Sequence, residues 1–284
     1  MSQVWARDRV KKRYLHAHQS FSFMYNPKAN RWGAGAKMRR HWEALPVAVF
    51  LALWEILARL NLVPGQFFFP PFSTVMQEFY HLVVNGVLVE HFFSSLIRVL
   101  IGFVTGSFVG IALGVVMGWN EVSHRAFHPI FSLLYPIPAL GWLPILMLWL
   151  GIGELLPIAI VFIASFFPVL YNTITGIKGV PKDLVRAAEI LGASRLEILR
   201  TVIFPLALPN IFTGLRLEAG MAWRVIIAAE MVAIPTGIGA LLMRAESLIR
   251  VDIIIVCLIV LSVMCLSFER FFIFLEQRST RKWR

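Results

Sequence analysis

Charge is scarce in this sequence. Of its 284 residues only 15% are Asp, Glu, Lys or Arg, while 58% are hydrophobic and the mean hydropathy is +0.73. Soluble domains carry about 25% charged residues. One globular core of this length cannot hide so large an apolar excess, which argues against a soluble enzyme. Cysteine is almost absent. Cys257 and Cys265 lie eight residues apart in one apolar stretch, about 12 Å along a helix, which is beyond disulfide reach. They show neither metal-site nor redox spacing and read as small apolar fillers. Histidine occurs only at 16, 18, 41, 81, 91, 124 and 128, mostly in expected tails and loops, so a membrane enzyme would lack its polar cluster. There is no Gly-x-x-x-x-Gly-Lys-Ser/Thr phosphate loop, no Ser/His/Asp or Cys/His arrangement and no metal-ligand cluster. A cleavable signal peptide is not expected either, because about forty mostly polar residues precede the first apolar run.

The charge that is present is unevenly placed. The net charge of +11 suggests nucleic acid until it is mapped. Residues 1–42 hold ten basic residues and one acid, Asp8, a surplus of +9; the remaining 242 residues are nearly neutral at +2. This is the pattern of a membrane protein with a basic cytoplasmic arm, and no nucleic-acid partner is expected. The chain therefore divides into an arm, 1–42, a transmembrane domain, 43–277, and a basic tail, 278–284.

A bilayer crossing needs roughly 20 apolar residues. Six stretches approach that length: Ala44–Leu62, His91–Trp119 with Arg98 near its start, 126–150, 154–176, Ile203–Val232 and Val251–Leu275. The third and fourth are parted by Gly151-Ile152-Gly153-Glu154. An all-α membrane protein follows. Positive charge clusters in the N-terminal arm, at Arg125, between Lys178 and Arg200, and in the tail. It is missing from 61–90 and 151–154, which places both termini in the cytoplasm. Arg244 and Arg250 are the exceptions, on the outer side. Between the first two crossings, Pro64, Gly65, Pro70 and Pro71 punctuate a turning segment. From Ser73, a candidate cap, Val75, Met76, Phe79, Leu82 and Val83 predict a short amphipathic helix on the outer surface. Glycines 102, 106, 110, 114 and 118 form one stripe on the second crossing, where another backbone can approach closely. Packing within the chain, a subunit seam and a pore wall all fit that pattern.

The segment Lys178–Thr201 is polar where its neighbours are apolar. Pro181-Lys182-Asp183 signals a helix start before Leu184-Val185-Arg186-Ala187-Ala188-Glu189-Ile190-Leu191, and Gly192 ends it as a residue free to turn left-handed. Ser194 caps a second helix over 195–200, with Glu197 at capping-box spacing. Two short helices at an angle, facing the cytoplasm, read as a docking surface.

Here a family resemblance emerges. Arg186-Ala187-Ala188, three residues, Gly192, nine residues and then Val202-Ile203-Phe204-Pro205 resembles the cytoplasmic EAA loop of ABC-importer permeases. Two wider stretches are similar to the nitrate/sulfonate/taurine branch of that family. One is Pro136-Ile137-Pro138-Ala139-Leu140-Gly141-Trp142-Leu143-Pro144, continuing through Trp149 to Glu154. The other is Gly214-Leu215-Arg216, Ala222-Trp223, Ala228-Ala229-Glu230-Met231 and Gly237-Ile238-Gly239. Arg186 stands where the loop motif has Glu, although Glu189 follows one turn later. Arg224 stands where relatives carry an uncharged residue.

The resemblance implies a type I ABC-importer permease in the bacterial inner membrane, without an ATPase site or cofactor of its own. Two copies, as a homodimer, would form the pore. Cytoplasmic ATPase subunits carrying ATP-Mg would dock on the loop, and a periplasmic or extracellular solute-binding protein would deliver a small anion of the nitrate, sulfonate/taurine or bicarbonate class. The coupling residues it implies are Asp183, Leu184, Arg186, Ala187, Ala188, Glu189, Gly192, Ala193, Arg195 and Pro205, with Ala187 and Ala188 small enough for close approach and Leu184 and Leu191 supplying apolar contact. A permease for a vitamin precursor is the alternative, and a secondary transporter a more distant one.

Charges within a crossing are costly and invite explanation. Arg224 and Glu230 are the leading candidates, with Arg216 and Glu218 nearer the cytoplasm. Each serves either as structural glue between spans or as a pathway group, and for Arg224 the pathway role is attraction of an anion. Trp223, and Pro136 and Pro138, which break the third crossing by removing backbone donors, complete the candidate pathway.

Overall fold

The computed structural model of the chain describes residues 36–60 and 68–280, with side chains from Leu45 to Ser279. Most of the basic arm and the end of the tail therefore lie outside the described residues. By Cα proximity the chain forms two units, 1–60 and 61–284. The first contains α1, Ala36–Arg59, which carries most of the first expected crossing and has Pro46 inside it.

The second unit holds α2 (Phe72–Val84), α3 (Val87–Trp119), α4 (Glu121–Leu134), a 3-10 turn (Ala139–Trp142), α5 (Leu143–Leu150), α6 (Leu155–Lys178), α7 (Lys182–Ile190), α8 (Arg195–Ile198), α9 (Phe204–Ala233), α10 (Ile238–Ser247) and α11 (Val251–Thr280). Among the described residues four helices are long and apolar enough to cross a membrane: α3, α6, the continuous run Arg195–Ala233, and α11 up to Ser279. The third expected crossing is a bent pair, α4 with 139–150, turned by 84°. Pro136 and Pro138 sit in that bend, and Pro144 starts the next helix. Asn120 begins α4 earlier than the apolar run suggested, its side chain accepting from Val122 N at 2.9 Å.

One expectation is corrected at α2. Pro71, whose fixed φ suits a helix start, occupies the cap position and Ser73 falls in the first turn.

The glycine stripe decides how α3 and α6 meet. A Cβ on Gly106 would stand 2.5 Å from the Phe162 carbonyl oxygen, and one on Gly110 2.8 Å from that of Phe166. On Gly102, Gly114 and Gly118 it would press on Val161, Thr173 and Ile177. The stripe is thus a seam within one chain, which removes the pore-wall and subunit-seam readings. α9 packs on the other side of α6 and on α11. Small apolar cores pin these layers. Leu146, Leu156, Ile160, Val225 and Ala229 join α5, α6 and α9, while Ile177, Ile198, Ile203 and Ala207 close the loop end.

Gly106→Val should therefore cost about 1–3 kcal/mol or more by overpacking against a backbone that cannot yield. Gly220→Ala, whose Cβ meets open space, should be neutral or slightly stabilising. Thermal unfolding of the detergent-solubilised protein checks this, and equal midpoints for the two variants would contradict the seam.

Candidate functional site

The 178–202 segment folds as two short helices, with the expected stop and cap. Gly192 adopts φ +86°, and its N–H donates to the Glu189 carbonyl at 2.9 Å while that of Ala193 donates to Ala188 at 3.1 Å, closing α7 in a left-handed turn. Ser194 and Glu197 form the reciprocal capping box: Ser194 N donates to Glu197 Oε2 at 2.7 Å, and Glu197 N to Ser194 Oγ at 3.4 Å. The faces of α7 differ from the expectation in one respect. Val185 and Ala188 turn inward onto the Ile177–Ile198–Ile203 core, and Ala193 joins them. Asp183, Leu184, Arg186, Ala187, Glu189, Gly192 and Arg195 are exposed. Ile190 and Leu191 are each 86% exposed, although both are apolar.

α8 leads through a wide π turn, Leu199–Ile203, directly into α9. Pro205 accounts for its place: with no N–H it cannot donate to Thr201, and the wider turn absorbs the missing bond. Loop and crossing are thus one rod.

At the other end of α9 lies a buried ion cluster. Glu230 is fully buried. Its carboxylate accepts from Ser95 Oγ at 2.8 and 2.7 Å, from Arg98 Nη1 at 3.0 Å and from Gly239 N at 3.0 Å. Ser95 Oγ in turn accepts from Ile238 N at 2.8 Å. Arg98 also donates to Glu154 twice, at 2.5 and 2.7 Å, and to Thr236 through its carbonyl and hydroxyl. Gly237, at φ +108°, leaves space that a Cβ would take from the Glu230 carboxylate, and His91 Nδ1 lies 3.0 Å from its N–H. Glu154, in the turn before α6, is held below the usual carboxylate range by Arg98.

The remaining pathway candidates scatter. Trp223 is buried edge-on to Phe268, and Arg216 pairs with Glu276 at 3.4 Å. Arg224 is exposed, and its guanidinium reaches only Met221 Sδ, at 3.7 Å, among the described residues. Pro136 is exposed in the bend, while Pro138 lines a cavity of about 280 Å³ together with Tyr135, Phe167, Glu218, Met221 and Val225. Glu230 and Trp223, both candidates for the pathway, are enclosed within the bundle, and the bonds of Glu230 to α3 and α10 are those of its structural-glue alternative.

Comparison with known proteins settles the family. The family described as binding-protein-dependent transport system inner membrane component matches residues 106–281. The chain belongs to this family. It is therefore a membrane subunit of an ABC importer. Among its relatives, the taurine transport system permease protein TauC of Escherichia coli is 32% identical over 82% of this chain and 86% of its own length. The nitrate import permease protein NrtB of Synechocystis is 34% identical over 90% of each. Among solved structures, the MetNI methionine ABC transporter in inward-facing conformations gives a TM-score of 0.52 at 17% identity. That match covers 67% of this chain and 94% of the solved one, a likeness of fold.

For this permease the group that sequence reasoning left unpaired is Arg98. It was visible only as an interruption of an apolar run, and Glu230 only as a costly charge. The available signal was that a buried arginine requires a carboxylate: like Arg98 near the start of α3, Glu154 stands at the start of a span, α6, that runs parallel to α3, and Glu230 stands near the end of α9.

Removing one partner from a buried pair typically costs about 3–5 kcal/mol, because the other charge is left uncompensated. Arg98→Met should lower the thermal midpoint accordingly, and adding Glu230→Leu should recover most of the loss; a double variant no more stable than the single one would refute the pairing. The Arg98–Glu154 contribution is complete at neutral pH. Because the folded-state carboxyl is depressed, that contribution is lost only as pH falls below the ordinary carboxylate range.

Proposed function

We propose that this permease carries a small anion of the nitrate, sulfonate/taurine or bicarbonate class inward. In this reading two copies form the pathway as a homodimer, and a solute-binding protein presents the solute outside. The named substrates of the taurine and nitrate relatives support the solute class. Both termini face the cytoplasm, following the positive-inside distribution, and the basic arm 1–42 lies against anionic headgroups or the ATPase.

The chain hydrolyses nothing in this reading. ATP-Mg binds on separate ATPase subunits that dock on α7 and α8. The observation that carries the coupling is the exposed apolar end of α7. Ile190 and Leu191 stand in solvent beside a left-handed Gly192, on a segment whose inner face is already packed. An apolar tip held out on a rigid turn is the form of an anchor for a partner's pocket. Motion of that partner reaches the membrane through α8, the π turn and α9, which form one continuous helix from Arg195 to Ala233.

Leu191→Glu alters a side chain that packs on little in its own chain, and Gly192→Pro removes a φ that proline cannot adopt. Each should lower ATP-dependent uptake about tenfold or more while membrane levels stay normal. Co-expression with the cognate ATPase should be required for any ATP hydrolysis. Undiminished uptake in both variants would sink the docking assignment.

A further inference from the structure

α9 carries a second buried carboxylate, in surroundings opposite to those of Glu230. Glu218 is 8% exposed, and among the described residues no hydrogen bond or ion pair reaches it. It lines the 280 Å³ cavity beneath the Pro136–Pro138 bend. Met221 and Val225 lie on the same face of α9, at helical spacing three and seven residues on. Tyr135 and Phe167 line the same cavity, their ring centroids 6.2 Å apart and tilted at 47°.

An unpaired carboxylate in an otherwise apolar site is costly, and the cost is relieved either by a proton or by a cationic partner. Aromatic faces attract cations through the ring quadrupole. A carboxylate and two aromatic rings lining one cavity suit an ammonium group, and the ionised carboxylate repels a simple anion. Arg224 lies outside the cavity lining and is exposed, but its guanidinium rests on Met221, which belongs to that lining, so positive charge stands at the cavity's edge.

We propose that the Glu218–Tyr135–Phe167 cavity is a binding site for the ammonium group of the transported solute, so that this permease accepts zwitterionic aminosulfonates and rejects nitrate and amine-free sulfonates. The inference rests on the transport reading above and narrows its substrate class. Glu218 is a specificity residue here, and the apolar lining accommodates the short carbon chain between the charged ends.

The test uses the full-length permease in lipid nanodiscs, without ATPase or binding protein, so it does not depend on coupling. Thermal midpoints are followed against taurine (2-aminoethanesulfonate) and against isethionate (2-hydroxyethanesulfonate), which keeps the sulfonate and lacks the ammonium. Taurine should stabilise the wild type with an affinity about tenfold or more above that for isethionate, and Glu218→Gln should abolish the difference. Equal shifts from the two sulfonates, a taurine shift that survives Glu218→Gln, or no shift from taurine at tens of millimolar would each overturn the proposal. The comparison of the two sulfonates on the wild type stands even if the variant fails to fold. ATP-driven uptake without a Glu218-dependent taurine shift defeats this inference alone, whereas such a shift without any ATP-driven uptake defeats the transport reading.

Discussion

A charge placed in an apolar bundle has no water to turn to, and one end of this molecule is organised around answering that constraint. Glu230, on α9, ends up with three donor groups around its carboxylate, and they come from two other segments: Ser95 and Arg98 on α3, and Gly239 at the start of α10. Arg98 then reaches on to Glu154 and Thr236. The loop between α9 and α10 must therefore pass close over the carboxylate, and Gly237 and Gly239 are the residues that allow it. The polar cluster fixes where these backbones run relative to one another. The apolar contacts, which tolerate sliding far better, fill in around it.

The rest of the bundle obeys a simpler rule of close approach. Five glycines let α3 lie backbone-to-backbone on α6, a packing mode that does not rely on hydrophobic driving force and so works within lipid. With α3 and α6 joined in this way, α9 is the element that spans from the loop to the ion cluster. From Arg195 to Ala233 it is continuous over 39 residues, about 58 Å at helical rise. The 183–200 loop, the cavity carboxylate and the buried ion cluster are thus joined by one helical run.

Much of this was legible in the sequence, for identifiable reasons. Gly192, Ser194 and Glu197 act through their immediate neighbours, so their roles as stop and cap could be read from spacing, and the prolines at 136 and 138 broke the third crossing as their missing donors require. The glycine stripe was equally plain, but its partner was not, since a four-residue period identifies a face and not what lies against it. Ala188 shows the same limit: its size suggested contact with a partner, while the fold turns it onto Ile198 and Ile203 and leaves Ile190 and Leu191 outside. Ser73 lost the cap position because Pro71, two residues earlier, already supplies a helix-ready φ. The pairing of Arg98 with Glu230 links positions 132 residues apart. No local spacing encodes such a pair, although the cost of burying either charge alone announces that one must exist.

Two carboxylates on one helix sharpen what this fold has to say about its cargo. Glu218 and Glu230 are twelve residues apart, about 18 Å along the axis and 120° around it, so they look into different surroundings. Glu230 meets a guanidinium, a hydroxyl and a backbone N–H, and is part of the structure. Glu218 lines a cavity that Tyr135 and Phe167 also line. Among the described residues no group of the chain pairs with Glu218, and a carboxyl so placed takes up a proton or a cationic partner. On the substrate proposal above, that cation is the ammonium group of the solute.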